Sequence, residues 1–330
     1  MTLVDQFSRE INYLRISVTD RCDLRCVYCM KEKMIFLPKN EILTLEEIER
    51  LCDNFIEMGV KKIRLTGGEP LVRTDFIKLV KKLNLKKKNT NLNEITLTTN
   101  GTLLQKYAKD LKENGINRIN VSLDTINPKK YNEITKFGNL EKIILGIKEA
   151  IKNDIKIKIN TVAIKNFNEN ELEELVTWTA KQKIDITFIE VMPMEETDTD
   201  RYNQFVSLDT IFQQLNKKFV FEKLDQNTGG PAVYYRSSYI SNKVGFITPM
   251  SNNFCASCNR VRITSTGKLY MCLGQNDYVD FREILRSDYS NDYIKEKIAY
   301  AMKIKPKRHD FLIDKKIKPY MHRHMNVTGG

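Results

Sequence analysis

Three thiols spaced CxxxCxxC, Cys22, Cys26 and Cys29, constrain this chain more than any other feature; they sit in Arg21-Cys22-Asp23-Leu24-Arg25-Cys26-Val27-Tyr28-Cys29. The stretch before them, Tyr13 to Val18, alternates as a first strand should, so the thiols fall in the loop leaving its carboxyl end. Three cysteines in eight residues flanked by arginines make a poor core segment, and no nearby histidine completes a tetrahedral zinc site. A cubane iron-sulfur cluster normally takes four cysteine ligands, so a local triplet leaves one iron open to a ligand that is not protein.

With 330 residues, 41% of them hydrophobic, the chain can bury one large core and a smaller one, as a globular enzyme does. No apolar run approaches the roughly 20 residues that span a bilayer. The amino terminus, with Asp5, Arg9 and Glu10, lacks the apolar core of a signal peptide, so a cytoplasmic location is expected. Seven cysteines, an odd number clustered at short spacings, favour metal ligands over disulfides, and the Asn326-Val327-Thr328 glycosylation signature then reads as accidental. A formal charge of +12 attracts an anionic partner, and both nucleic acid and a nucleoside triphosphate qualify. Lysine runs such as Lys86-Lys87-Lys88 and Lys315-Lys316 read as hydrated faces, so charge alone does not choose a substrate.

The first half alternates strand and helix. Thr44 and Glu47 form a capping box ahead of a helix carrying Leu45, Ile48, Leu51, Cys52, Phe55 and Ile56 up to Gly59, which makes Cys52 a core residue. Strands are expected at Lys62–Thr66, Glu94–Thr99, Arg118–Ser122, Ile155–Ala163 and Ile184–Val191. Helices are expected around Phe76 to Leu83, up to Gly115, from Asn139 to Asn153 and from Glu169 to Lys181. Six such units call for a parallel sheet covered by helices, either open or curled toward a barrel. From Met192 the rhythm changes, which divides the chain into residues 1–192 and 193–330. Asp198 to Arg201 reads as a polar connection, Leu208 to Lys217 as a short helix, and Phe219, Val233–Arg236 and Val244–Ile247 as brief strands.

That second half holds another thiol triplet, Cys255, Cys258 and Cys272. Spacing alone leaves zinc and a cluster both open, with His309, His322 or His324 available as a fourth zinc ligand. Arg260 and Arg262, two apart in an expected strand, share one face, where guanidinium forks suit phosphate oxygens; two solvated arginines are the plainer alternative. No GxxxxGK[ST] loop is present to cradle phosphates. The terminal Gly329-Gly330 would ordinarily be a frayed tail.

The CxxxCxxC spacing with Tyr28 before the last cysteine resembles the radical S-adenosylmethionine (SAM) superfamily. The flanks, the Gly67-Gly68-Glu69-Pro70 and Thr98-Thr99-Asn100-Gly101 turns and the second triplet resemble the GTP 3′,8-cyclases of molybdenum cofactor biosynthesis, from about Phe7 to the last residue. That resemblance implies an α/β fold, a partial (β/α)6 TIM-like barrel with a C-terminal α+β extension carrying a second cluster. It implies two [4Fe-4S] clusters, on Cys22, Cys26 and Cys29 and on Cys255, Cys258 and Cys272. SAM would meet Tyr28, Gly68, Ser122 and Met192, and GTP would meet Arg15, Arg64, Thr98, Lys158, Arg260, Val261 and Arg262. The implied reaction is radical: SAM is cleaved reductively, hydrogen is taken from C3′ of GTP, and C3′ joins C8 to give (8S)-3′,8-cyclo-7,8-dihydroguanosine 5′-triphosphate. No residue is assigned as a general base, and the Gly329-Gly330 tail would enter the site. Implied partners are an electron donor such as a flavodoxin or ferredoxin and a downstream cyclic pyranopterin monophosphate synthase; a homodimer is compatible, and neither membrane nor nucleic acid is called for.

Three positions depart from the pattern: Asp23 where asparagine is usual, Lys31 where proline is common, and Thr187 where an arginine is frequent, its absence shifting the load to a nearby lysine. Two other functions stay open on the residues, a radical SAM enzyme that modifies a peptide or RNA, and a non-catalytic zinc protein that binds nucleic acid.

Overall fold

The computed structural model describes residues 2–194, 201–225, 228–311 and 323–329. Its first half runs β1 (Tyr13–Ser17), α1 (Leu45–Glu57), β2 (Lys62–Thr66), α2 (Phe76–Lys86), β3 (Glu94–Thr99), α3 (Leu104–Glu113), β4 (Arg118–Ser122), α4 (Pro128–Thr135), α5 (Leu140–Lys152), β5 (Lys156–Ala163), α6 (Leu172–Lys181) and β6 (Asp185–Glu190). The capping box is formed at α1: Thr44 Oγ1 accepts from Glu47 N–H and the Glu47 carboxylate accepts from Thr44 N–H. Cys52 is fully buried on that helix. Helix α4 escaped the pattern because its eight residues hold few apolar positions, although Asn127 caps it and Pro128 opens it.

Residues 201 onward form α7 (Arg201–Gln204), α8 (Leu208–Phe219), β7 (Glu222–Lys223), β8 (Val233–Ser237), β9 (Ile240–Ile247), β10 (Arg260–Ile263), β11 (Lys268–Tyr270), β12 (Tyr278–Asp280), α9 (Arg282–Arg286), α10 (Asn291–Lys303) and α11 (Met325–Thr328). Phe219, expected in a strand, closes α8 instead, buried with Ile211 and Leu215 at helical spacing. The expected connection at Asp198 to Asp200 and the run Lys315-Lys316 lie outside the described residues.

All strands share one sheet of order β12-β11-β10-β1-β2-β3-β4-β5-β6-β9-β8-β7. Strands β1 to β6 are parallel and in chain order, as strand-helix-strand crossovers dictate. The second half adds a strand to each edge, β10 parallel to β1 and β9 parallel to β6. Because β1 and β6 do not pair, the barrel stays open, yet Arg15 of β1, Lys158 of β5, Ile189 of β6 and Arg262 of β10 line one cavity, so the sheet curls around it. The outward strand faces, with Leu14, Ile16, Ile63, Leu65 and Ile159, join the helices in one hydrophobic core. Among the described residues no helix is long and apolar enough to cross a membrane.

Candidate active site between two thiol triplets

Inside the curled sheet the parallel register stacks unusual rows. Arg260, Tyr13 and Lys62 lie level on neighbouring strands, and above them lie Arg262, Arg15 and Arg64. Asn120 is level with Lys158, and Ser122 with Asn160 and Thr187. A packed barrel fills such rows with branched aliphatic residues. Here they enclose a cavity of about 180 Å³. Seven cations line it, Arg15, Lys62, Arg64, Arg118, Lys158, Arg260 and Arg262, and among the described residues no carboxylate does.

Buried cations of like sign repel, and the titration of the cavity registers it. Burial, then the Arg64 and Arg118 charges, hold Lys158 down at about 7. Burial, only partly offset by Tyr13, brings Arg15 to about 10, and burial beside Arg15 and Arg260 pushes Arg262 far below its ordinary value. Arg260 Nε is buried without a hydrogen-bond partner. Such an arrangement is stable with a polyanion in place, because charge-assisted bonds to phosphate or carboxylate oxygens return what desolvation removes.

Tyr13 is the resident counter-group. Its hydroxyl accepts from Arg64 Nε at 2.5 Å, and its ring lies 5.0 Å from Lys62 Nζ. Burial alone would raise this phenol, but Arg64, Arg15 and Lys62 outweigh burial and bring it to about 6. Arg64 also donates to Thr98 Oγ1 at 2.9 Å, so Thr98 acts through that arginine and is not among the cavity's lining residues. Val261, expected with its neighbours as a ligand contact, has its side chain in the apolar layer, since strand alternation turns it away from Arg260 and Arg262. Where an arginine was expected, Thr187 is fully buried, and Gly245 beside it leaves room for the Tyr234 ring. Tyr234 OH accepts from Lys158 Nζ at 3.2 Å, so the cation of that corner is Lys158.

At one end of the cavity lie Cys255, Cys258 and Cys272. None of the seven cysteines is in a disulfide. Burial pushes Cys272 up; at Cys258 burial also raises the thiol, but Lys305 and Arg260 hold it below its ordinary value. His309 is near but engaged, Nε2 with the Pro249 carbonyl and Nδ1 accepting from Phe311 N–H. His324 sits at the N-cap of α11, and His322 lies outside the described residues. Among the described residues no group of three or more Cys, His, Asp and Glu side chains is gathered tightly enough for a single ion. Three thiols whose neighbouring His309 is already engaged suit a cluster with one open iron.

A second cavity of about 120 Å³ adjoins the first; Asn160, Ile189, Met192 and Met325 line both. Tyr28, Ser122 and Asp124 line only the second. Tyr28 OH donates to Asp124 Oδ2 at 2.7 Å, and burial raises the Asp124 carboxyl to about 6. Tyr28, which lines this cavity, directly precedes Cys29, while burial beside Cys29, Cys22, Asp124 and Asp23 drives the Cys26 thiol far up; no cysteine of the first triplet lines the cavity itself. Gly67 and Gly68 press on the cysteine loop: Gly68 N–H donates to the Thr19 carbonyl, and a Cβ at Gly68 would stand 2.3 Å from the Arg21 carbonyl oxygen. Gly68 thus shapes the loop and is not a lining residue of either cavity. Asp23 fits its place as an acceptor from Asn100 Nδ2 (2.7 Å) and Thr102 Oγ1 (2.6 Å).

The short helix α11 borders both cavities through Met325. Asn326 Nδ2 donates to the Asp20 carbonyl at 3.0 Å, and the buried Gly329 carbonyl accepts from Arg262 Nη1 at 2.7 Å. Gly330 lies outside the described residues. Sequence reading missed Tyr13, Lys62, Arg118, Asn120, Asn160, Asp124 and Tyr234. Four of these stand two residues before or after a predicted contact on the same strand, a period-two signal present in the sequence.

The sequence model of the radical SAM superfamily matches residues 16–179, and that of Molybdenum Cofactor Synthesis C matches residues 184–311. GTP 3′,8-cyclases of Brucella ovis and Brucella canis are each 50% identical over 329 residues, 99% of this chain and 96% of theirs. Among solved structures, Streptococcus suis SuiB bound to S-adenosylmethionine aligns with TM-score 0.63 at 18% identity over 88% of this chain and 69% of its own. Native anSMEcpe with bound AdoMet aligns with TM-score 0.52 at 20% identity over 63% of this chain and 60% of its own. At those identities the two structures speak for the fold.

Proposed function

The chain belongs to the GTP 3′,8-cyclase family of radical SAM enzymes, and from that membership we propose how its own residues serve the reaction. It is an enzyme of molybdenum cofactor biosynthesis that uses SAM and [4Fe-4S] clusters. The observation that carries the residue assignment is the adjoining pair of cavities, one lined by seven cations together with Cys255, Cys258 and Cys272, the other by Ser122, Asp124 and Tyr28, the residue before Cys29.

The chemistry supplied by the bound first cluster and SAM is one-electron reductive cleavage to a carbon radical. Cys22, Cys26 and Cys29 hold that cluster; the Gly67-Gly68 turn fixes their loop, and Tyr28, Ser122 and Met192 border the SAM space. Cys255, Cys258 and Cys272 hold the second cluster. Arg15, Arg64, Lys158, Arg260 and Arg262 take the GTP phosphates, Arg64 being aimed by Tyr13 and Thr98. Such clamping matters for a hydrogen transfer, where a misplacement of about 1 Å costs on the order of a hundredfold. Met192 and Met325 line both cavities and give the passage between them an apolar wall. An electron donor such as a flavodoxin or ferredoxin, delivery to cyclic pyranopterin monophosphate synthase, a cytoplasmic location and a homodimer complete the proposal.

Anaerobically reconstituted and reduced protein, given SAM and GTP, is expected to form 5′-deoxyadenosine together with a cyclised nucleotide. SAM cleavage without that nucleotide would transfer the assignment to another substrate such as a peptide or RNA.

The Tyr13 and Lys158 values give a proton signature. Above about pH 6 the free phenol is ionised and competes with phosphate for Arg64, and above about pH 7 Lys158 loses its charge. Bound triphosphate raises both values, so binding takes up protons and weakens as pH rises through 6 to 8, by at most about tenfold per pH unit for each group. Tyr13→Phe is expected to reduce the proton uptake measured calorimetrically in two buffers of different ionisation heat; the phosphate's own titration cancels in the comparison with the unmodified protein. Equal uptake in the two proteins would rule the phenol out.

A further inference from the structure

Lys305, at the end of α10, is buried to 1% exposure. Its ammonium donates to the Met271 carbonyl at 2.6 Å and the Arg260 carbonyl at 3.3 Å, and it stands 3.8 Å from Cys258 Sγ. Burying an ammonium costs several kcal/mol unless an anion accompanies it. Of these three acceptors only the sulfur can carry negative charge, and it does so once it ligates metal.

The other two cysteines of this triplet also meet cations, but through their carbonyls. Arg9 Nη1 donates to the Cys255 carbonyl at 2.8 Å, with Asp5 2.6 Å from Arg9 Nε. Arg323 Nη2 reaches the Cys272 carbonyl at 3.4 Å and the Leu273 carbonyl at 2.6 Å. Lys305 alone among these three points its charge at a sulfur. The first triplet has the opposite surroundings: Asp23, Glu69 and Asp124 act on Cys22 and Cys26. Adding an electron makes a cluster more negative, and cations or N–H donors at its sulfurs stabilise that reduced form.

We propose that Lys305 sets the reduction potential of the cluster held by Cys255, Cys258 and Cys272, keeping it more easily reduced than the same three thiols would without the ammonium. The inference rests on the assignment of a second cluster to that triplet. In the redox titration of the reconstituted full-length protein followed by electron paramagnetic resonance, Lys305→Met is expected to move the second cluster's midpoint to more negative potential. The first cluster's midpoint stays, and Lys305→Arg stays near the unmodified protein. Unchanged midpoints in Lys305→Met would overturn the proposal. So would loss of the second cluster from both Lys305→Met and Lys305→Gln with retention in Lys305→Arg, which would make Lys305 an assembly residue. Unmodified protein that takes up one cluster only would instead overturn the assignment of the second triplet.

Discussion

Cys26→Ala is expected to lower SAM cleavage by a thousandfold or more, about 4 kcal/mol of barrier, while the second cluster stays in place. Cys26 sits at the centre of its triplet: its carbonyl accepts from Cys29 N–H at 2.8 Å and from Met30 N–H at 3.3 Å, and its thiol is raised by burial and then by Cys29 and Cys22. Burial disfavours the free thiolate, so this anion is one that only a bound cation such as cluster iron would stabilise. Iron content falling to about half with 5′-deoxyadenosine formation abolished is the expected pair of readings, since three ligands are the least that hold a cubane with one open iron. Undiminished cleavage would remove the triplet from the reaction. The converse variant, Cys258→Ala, should spare SAM cleavage and lose the nucleotide product, which tests the division of labour between the two triplets.

The second large effect is expected at the tail. Gly329 has φ +73°, in the left-handed region, and a Cβ there would stand 2.2 Å from Thr66 Cγ2. Alanine at this position meets both a steric clash and backbone strain of about 1 kcal/mol or more, so the tail must withdraw, and with it the carbonyl that Arg262 holds at 2.7 Å. Gly329→Ala is therefore expected to lower cyclised nucleotide formation by about a hundredfold, in the range of a misplaced reacting group. Both clusters should assemble and thermal stability should change little, because the tail adds little to the hydrophobic core. Removal of Gly329 and Gly330 together should behave alike. Full turnover by either variant would show that the tail merely rests against Arg262.

Much of the site was legible because its chemistry is written in short spacings. CxxxCxxC, the Gly67-Gly68-Glu69-Pro70 turn and CxxC with Cys272 are local patterns, and each of the six parallel strands could be recognised from its alternation. Arg15, Arg64, Lys158, Arg260 and Arg262 stood out as charges inside apolar strands, where only a cavity or a bound anion tolerates them. Tyr13 did not stand out, since an aromatic residue suits a strand on packing grounds alone. Its role comes from Arg64 on the neighbouring strand, 51 positions away. Nothing local marks Lys305 among the many lysines of a basic chain; the carbonyls that hold it belong to Arg260 on β10 and to Met271 just past β11, 45 and 34 positions away.

By itself, then, the sequence determined the kind of chemistry: two thiol triplets, a parallel βα array and a set of strand cations. Tertiary structure decided which of these face each other. Strand β10 is placed beside β1 and brings Arg260 and Arg262 level with Tyr13 and Arg15 across some 247 residues, while β9 extends the opposite edge. Pairing of that kind depends on which sheet edges remain open and which apolar faces must be covered, properties of the assembled sheet that no local window of residues contains. The same closure packed the outward side chain of Val261 into the core, set Tyr234 against Lys158 where an arginine was expected, and seated Gly329 on Arg262.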